Sequence, residues 1–313
     1  MANYTILSKK EIDKLIGQYD VGDVLNFSVI EGGAANSSFK VTTNKGNFVL
    51  TISDEKSYDE IKKLVRLLLH LEQQNFPTTK IVLTKKRELT TYYKKVPVIL
   101  KKLIEGEVSN EIDSHKLFQL GKTVAKLHEI SAPEYLPKIF QYGIDFFSEL
   151  ISTRVNPEYS NWLQRKKELI TEKISPELPR GLIHGDIFYD NVLFTPDRRL
   201  AAIIDFEEAC NYFNVFDIGM CIIGTCSCKG KLSLAKAKSL LDGYQNKRRL
   251  KKLEKESLKV FAEYGAVATS FWRFRQHNII NINRNKAKSY FEMKLLADNI
   301  HNISEVEFKE KLF

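Results

Sequence analysis

The stretch HGDIFYDNVLF, His184 to Phe194, holds a histidine, two aspartates and an asparagine; a further aspartate, Asp205, ends the apolar run Ala201-Ala202-Ile203-Ile204. Asn191 and Asp205 are hard oxygen donors of the kind Mg²⁺ takes, with its remaining positions left for phosphate and water. Asp186 is then free to accept a proton from an attacking hydroxyl. Phosphoryl transfer needs this division of labour, because positioning and charge neutralisation supply most of its catalysis. Any one of these residues alone does no more than shape a turn, as Asx residues often do. It is the set of three, placed between apolar strands, that points to chemistry.

The elements around the set explain how it converges. Gly181-Leu182-Ile183 reads as a strand, followed by the polar loop, a second strand, the turn Thr195-Pro196-Asp197-Arg198, and the strand that stops at Asp205. A hairpin of this kind brings the loop before its first strand beside the end of its second. Asp186 precedes Asn191 by five residues, the spacing of the base and the metal-binding asparagine in a kinase catalytic loop, which is followed by a second metal aspartate.

The rest of the chain falls into a sheet-rich first third and a mostly helical remainder. Ser8 and Glu11 form a capping-box pattern ahead of a short helix. Residues 25–52 alternate as a small antiparallel meander, and Ile61, Leu64, Val65, Leu68, Leu69 and Leu71 mark a helix. Strands fit Ile81–Leu83 and Val96–Leu100. From Ser114 helical periodicity takes over, with further tracts at Ile144–Thr153, Tyr159–Lys173, Leu232–Tyr244 and Leu250–Arg275. The only strand signals beyond residue 106 are those bracketing the polar loop. The expected organisation is α+β and bilobal: residues 1–100 as a lobe with a small antiparallel sheet, 101–106 as a hinge, and 107–313 as a larger, mainly helical lobe carrying the polar loop.

Composition is globular, with 43% hydrophobic and 28% charged residues, and the formal charge of +9 favours anionic ligands. The lysines are dispersed, so a solvated basic surface accounts for most of that charge, the Lys247–Lys259 tract included, and no nucleic acid is expected as partner. A nucleic-acid-binding or scaffold descendant of such a fold would have no physical need for Asp186, Asn191 and Asp205 together. The four cysteines, Cys210, Cys221, Cys226 and Cys228, form no paired CxxC and read as reduced thiols of a cytoplasmic protein. No signal-peptide core and no apolar run of membrane-spanning length is present.

Weaker signals surround the set. Glu31-Gly32-Gly33-Ala34-Ala35-Asn36-Ser37 lies between two strands, where small residues let backbone N–H groups approach an anion; Gly32, Gly33 and Asn36 are its candidates for phosphate contact. Lys101 and Leu103 are expected to offer backbone groups to adenine. Thr51 stands where a protein kinase strand places its phosphate-gripping lysine, with Lys40 as a substitute cation; Glu60 reads first as an exposed surface acid and second as a helix carboxylate that could order the site. Gly224 to Lys231 fails as a P-loop, since the glycine spacing is wrong and Leu232 replaces the Ser/Thr. His128 reads as a hydrogen-bonded core residue.

HGDxxxxN followed by IIDFE resembles the aminoglycoside phosphotransferase and choline kinase superfamily, relatives of the protein kinases. His184, Gly185, Asp186, Asn191 and Asp205 fall on its motif positions, and Asp217 matches an aspartate that braces the loop. GGAANSSFKV, NFVLTIS, GKTVAKLH, IIDFEEACN, LLDGYQNKRRL and SFWRFRQHNI extend the resemblance to the homoserine kinases built on this fold, which also lack the lysine at the Thr51 position. The resemblance implies a protein-kinase-like fold, with residues 1–100 as the nucleotide-binding lobe and 107–313 carrying the catalytic loop and acceptor site, ATP as co-substrate, and Mg²⁺ held by Asn191 and Asp205. Asp186 would be catalytic, and the γ-phosphoryl would pass to the hydroxyl of L-homoserine, a step of threonine biosynthesis. Choline, ethanolamine, methylthioribose or an aminoglycoside are the alternative acceptors. Homoserine is a zwitterion, so it needs an anion for its ammonium and a cation for its carboxylate. Glu207 and Arg275 are the first candidates for those roles, with Glu208 and Arg273 beside them.

Overall fold

The computed structural model describes residues 5–30 and 36–313. Gly32 and Gly33 lie outside the described residues. The chain divides into two compact units: the residues up to Gly106 together with Ala201–Ile204, and Glu107–Leu200 together with Asp205–Phe313.

The first unit opens with α1 (Lys9–Ile16), where Ser8 and Glu11 make the reciprocal capping box, and continues through β1 (Val24–Ile30), β2 (Ser37–Thr43) and β3 (Gly46–Ile52). These three strands form the antiparallel meander expected over 25–52. Next come α2 (Tyr58–Gln73), β4 (Ile81–Val82), β5 (Thr91–Tyr93) and β6 (Val96–Lys102). β6 pairs β3 on one side and β4 on the other, and Ile12, Ile16, Phe39, Val41, Leu50, Ile52, Val98 and Leu100 close the core beneath. Glu60 serves the helix rather than a site. Its carboxylate and Ser57 cap α2 reciprocally, which is worth about 1 kcal/mol to the helix start. Ala201–Ile204 groups with this unit, and the Ile203 N–H bonds the Pro77 carbonyl at 3.0 Å.

The second unit contains β7 (Glu107–Val108), α3 (Ser114–His128), α4 (Phe147–Thr153), α5 (Pro157–Lys173), β8 (Arg180–Ile183), β9 (Val192–Phe194) and β10 (Leu200–Ile203), the last mostly shared with the first unit. It continues with β11 (Cys210–Phe213), α6 (Asn214–Thr225), β12 (Ser227–Cys228), β13 (Lys231–Leu232), α7 (Leu234–Lys247), α8 (Lys252–Arg275), α9 (Tyr290–Asn302) and α10 (Glu305–Leu312). All twelve residues of α6 are buried, and it packs against α8. Strand content beyond residue 106 exceeds the expectation. β11 is four residues long and pairs β8, with Ile183 opposite Cys210 and Arg180 opposite Phe213. Leu232 belongs to the small β12–β13 hairpin rather than to the start of α7. Among the described residues no helix is long and apolar enough to cross a membrane.

Candidate active site

The β8–β11 pair builds the site. β8 runs out at Ile183 directly into His184-Gly185-Asp186, and β11 begins just after the 3-10 turn Phe206–Glu208 that follows Asp205. Antiparallel pairing of Ile183 with Cys210 therefore sets the polar loop against the turn that Asp205 opens. Gly185 marks the closeness of that approach. Its φ is +85°, and a Cβ there would stand 3.0 Å from both the Glu208 carbonyl oxygen and the Phe140 ring. Only glycine satisfies both demands.

Asp186 is half-buried on the loop, and its N–H donates to Nδ1 of His184 at 3.1 Å. Asn191, at the end of the 3-10 turn Tyr189–Asn191, turns its amide back: Nδ2 donates to the Asp186 carbonyl at 2.8 Å and to its carboxylate at 3.2 Å. With the nitrogen so committed, Oδ1 of Asn191 is the atom a hard cation would take. Asp205 is exposed and sits in the left-handed region at φ +68°, ψ +63°, a conformation that costs a non-glycine residue about 1 kcal/mol and gathers at functional sites.

Electrostatics tie these residues together. Burial, and then the charges of Asp205, Glu208 and Asp190, push the Asp186 carboxyl up to about 8, against a hydrogen bond from Asn191 that lowers it. Carboxylates this mutually unfavourable suit a divalent cation, and the donor set fits Mg²⁺, which needs only one or two protein oxygens beside phosphate and water. Among the described residues no group of three or more His, Cys, Asp or Glu side chains makes an all-protein metal cage.

Beneath the loop lies Asp217, in the first turns of α6 and fully buried. Its two oxygens accept the backbone N–H groups of His184 (3.0 Å) and Gly185 (2.8 Å) and a third bond from Nε2 of His128 (3.1 Å). Burial raises its carboxyl, but the hydrogen bond from His128 and the Gly185 N–H outweigh it and leave the pKa below the ordinary value. Asp217 thus braces the loop as an anion, and His128 is the hydrogen-bonded core residue its place in the helix suggested.

The acceptor-side candidates separate. Glu208 backs onto Gly185, raises Asp186 and accepts a hydrogen bond from Gln141. Glu207 is half-buried in the same turn. Arg275 ends α8 and reaches Glu149 at 3.8 Å with both side chains well exposed, so this pair holds it weakly. Arg273 is committed elsewhere, to Glu292 at 3.0 Å and the Ser289 carbonyl at 3.2 Å. Tyr142 joins the site without any warning from sequence pattern. Burial, and then the Glu208 charge, push its phenol up, against a lowering by Trp272 and then by the Arg275 charge. Trp272 packs edge-on to it at 6.0 Å. FQYG carries no local signal that would single Tyr142 out.

On the nucleotide side, Asn36 is half-buried just before β2, and Lys101 lies within β6, opposite Val49 and Ile81. The Leu103 N–H is taken by the Asn47 carbonyl at 3.0 Å. Thr51 is buried, its hydroxyl 3.2 Å from that of Ser38, and Lys40 is exposed.

The profile of the phosphotransferase enzyme family matches residues 26–251, most of the chain, and the chain belongs to that family. It is 27% identical over 289 residues to a homoserine kinase of Parvibaculum lavamentivorans, covering 90% of this chain and 89% of the relative. A homoserine kinase of Bartonella tribocorum is 25% identical over 322 residues, covering 98% and 100%. Among solved structures, a microcompartment-associated aminopropanol kinase superposes with a TM-score of 0.71 at 19% identity, covering 94% of this chain and 97% of that one. The fold is protein-kinase-like, mixed helix and antiparallel sheet, and the protein is a small-molecule kinase.

Proposed function

We propose that the protein transfers the γ-phosphoryl group of ATP to the side-chain hydroxyl of L-homoserine. Asp186 carries the reading. It is a raised carboxyl held by Asn191 and coupled to Asp205. Asp186 accepts, or orients, the proton of the acceptor hydroxyl as its oxygen attacks phosphorus. Asn191 Oδ1 and the Asp205 carboxylate would hold Mg²⁺, which would supply neutralisation of the phosphate oxygens. Asn36, Gly32 and Gly33 are assigned to the phosphates. Lys101 and Leu103 are assigned to adenine, with the Leu103 carbonyl rather than its occupied N–H as the group on offer.

The acceptor's two charges select among the remaining residues. Glu208, backed against the loop, takes the ammonium, with Glu207 beside it in the same turn; Arg275, weakly paired, takes the carboxylate. Homoserine kinases as full-length relatives support this choice over other small alcohols. The test is ADP release from Mg·ATP across homoserine, choline, ethanolamine, methylthioribose and kanamycin, with Asp186→Ala as control. Homoserine should turn over fastest. If it does not exceed the blank while another compound does, the acceptor assignment is wrong and only the kinase remains.

A further inference from the structure

The hydrogen bonds that brace the catalytic loop continue past Asp217. His128 bonds Asp217 through Nε2 at 3.1 Å, and its Nδ1 lies 2.8 Å from the hydroxyl of Tyr244, which sits on α7. That hydroxyl also receives Nη1 of Arg248 at 2.9 Å, and Nη1 reaches Glu254 at 2.9 Å. The second oxygen of Glu254 accepts the Lys251 N–H at 3.0 Å, at the start of α8. His128, Asp217, Tyr244 and Glu254 are all buried. α3 and α7 are built for this contact: a Cβ on Gly121 would collide with the Leu240 carbonyl, and one on Gly243 with the Phe118 carbonyl. Two glycines let the helices close until His128 and Tyr244 meet.

Proton bookkeeping gives the chain a direction. Arginine only donates, so the Tyr244 oxygen must accept from Arg248. Burial pushes the Tyr244 phenol up, so it keeps its proton, and His128 Nδ1 is the acceptor beside it. We infer that Tyr244 is a positioning residue for phosphoryl transfer: by donating to Nδ1 it holds His128 neutral with its proton on Nε2, aimed at Asp217. A proton on Nδ1 would turn the Nε2 lone pair toward the Asp217 carboxylate and loosen the group that grips the N–H groups of His184 and Gly185. An imidazolium would deprive the buried phenol proton of its acceptor and set a second cation beside Arg248. Asp186, next along the loop, inherits the geometry. The inference rests on the protein being a kinase and is independent of which alcohol it phosphorylates.

Two measurements decide it. In protein labelled with ¹⁵N-histidine at neutral pH, with His128→Gln identifying the signal among six histidines, His128 should show a protonated Nε2 and an unprotonated Nδ1. Tyr244→Phe should abolish that single pattern. A doubly protonated ring, or a pattern unchanged in Tyr244→Phe, overturns the inference, and neither outcome depends on the acceptor. The kinetic arm compares His128→Gln with His128→Leu. The glutamine amide reproduces one donor toward Asp217 and one acceptor toward Tyr244 and can never be cationic. Its kcat should stay within about threefold of the wild type, while His128→Leu and Tyr244→Phe lose about tenfold or more with both KM values little changed. Should the leucine variant fail to fold, the phenylalanine variant carries the same comparison. A glutamine variant as impaired as these, or losses that fall on KM, would refute the positioning role.

Discussion

The catalytic loop and the acceptor-side rim of the second unit are held in different ways. The loop is over-determined: Asp217 grips two of its backbone N–H groups from below, Asn191 ties off Asp186 from the side, and Gly185 is pinned between Phe140 and Glu208. Beside it, Arg275 is held less firmly, by a long ion pair with the exposed Glu149. A firmly held loop beside a loosely held arginine is the arrangement expected if bonds change at the first and the acceptor is recognised at the second.

Substitutions break the comparison in order of size. Asp186→Asn, which keeps the shape and removes the proton acceptor, should lower kcat by about 10³-fold with small changes in either KM, measured by ADP release. Next, Asp205→Ala should cost about 10²-fold at a fixed Mg²⁺ concentration, and raising that concentration should recover part of the loss. At the rim the expected effect is smaller and falls elsewhere. Arg275→Ala should raise the acceptor KM about tenfold and leave the ATP KM unchanged. Equal effects on both KM values would remove Arg275 from the acceptor site.

The smallest effect concerns stability, and its sign follows from Asp186. A carboxyl raised to about 8 in the folded protein binds its proton more tightly than it does unfolded. The stability it contributes is therefore fully present below the unfolded pKa of about 4 and is lost as pH rises toward 8. Without metal, Asp186→Asn should melt at the same temperature as the wild type near pH 4 and a few degrees above it near pH 8. Mg²⁺ with nucleotide should narrow that gap, because a bound cation lowers the cost of the charge. A gap independent of pH would contradict the coupling among the carboxylates.

Much of this was legible in the sequence because it is local. The meander over 25–52, the capping box at Ser8 and Glu11, and the loop spacing from Asp186 to Asn191 depend on neighbours a few residues apart. The missed features depend on distant partners. β11 is a four-residue strand whose identity comes from pairing with β8, yet that pairing sets the Asp205 turn against the loop. Gln141 and Tyr142 come into question only through Glu208 and Arg275, far along the chain, whereas Glu60, an exposed acid as its setting suggested, caps its own helix. Adjacent acids such as Glu207 and Glu208 in a 3-10 turn differ only in what they face, which no local pattern records.

The division of labour among Asp186, Asn191 and Asp205 is best tested by Mn²⁺ binding in the presence of ADP, followed by electron paramagnetic resonance on the wild type and three variants. Asn191→Ala and Asp205→Ala should each weaken Mn²⁺ binding by at least about tenfold, while Asp186→Asn, silent in transfer, should bind the ion within about threefold of the wild type. Loss of the ion in Asp186→Asn, or its retention in the other two, would contradict the assignment of one proton acceptor and two metal ligands.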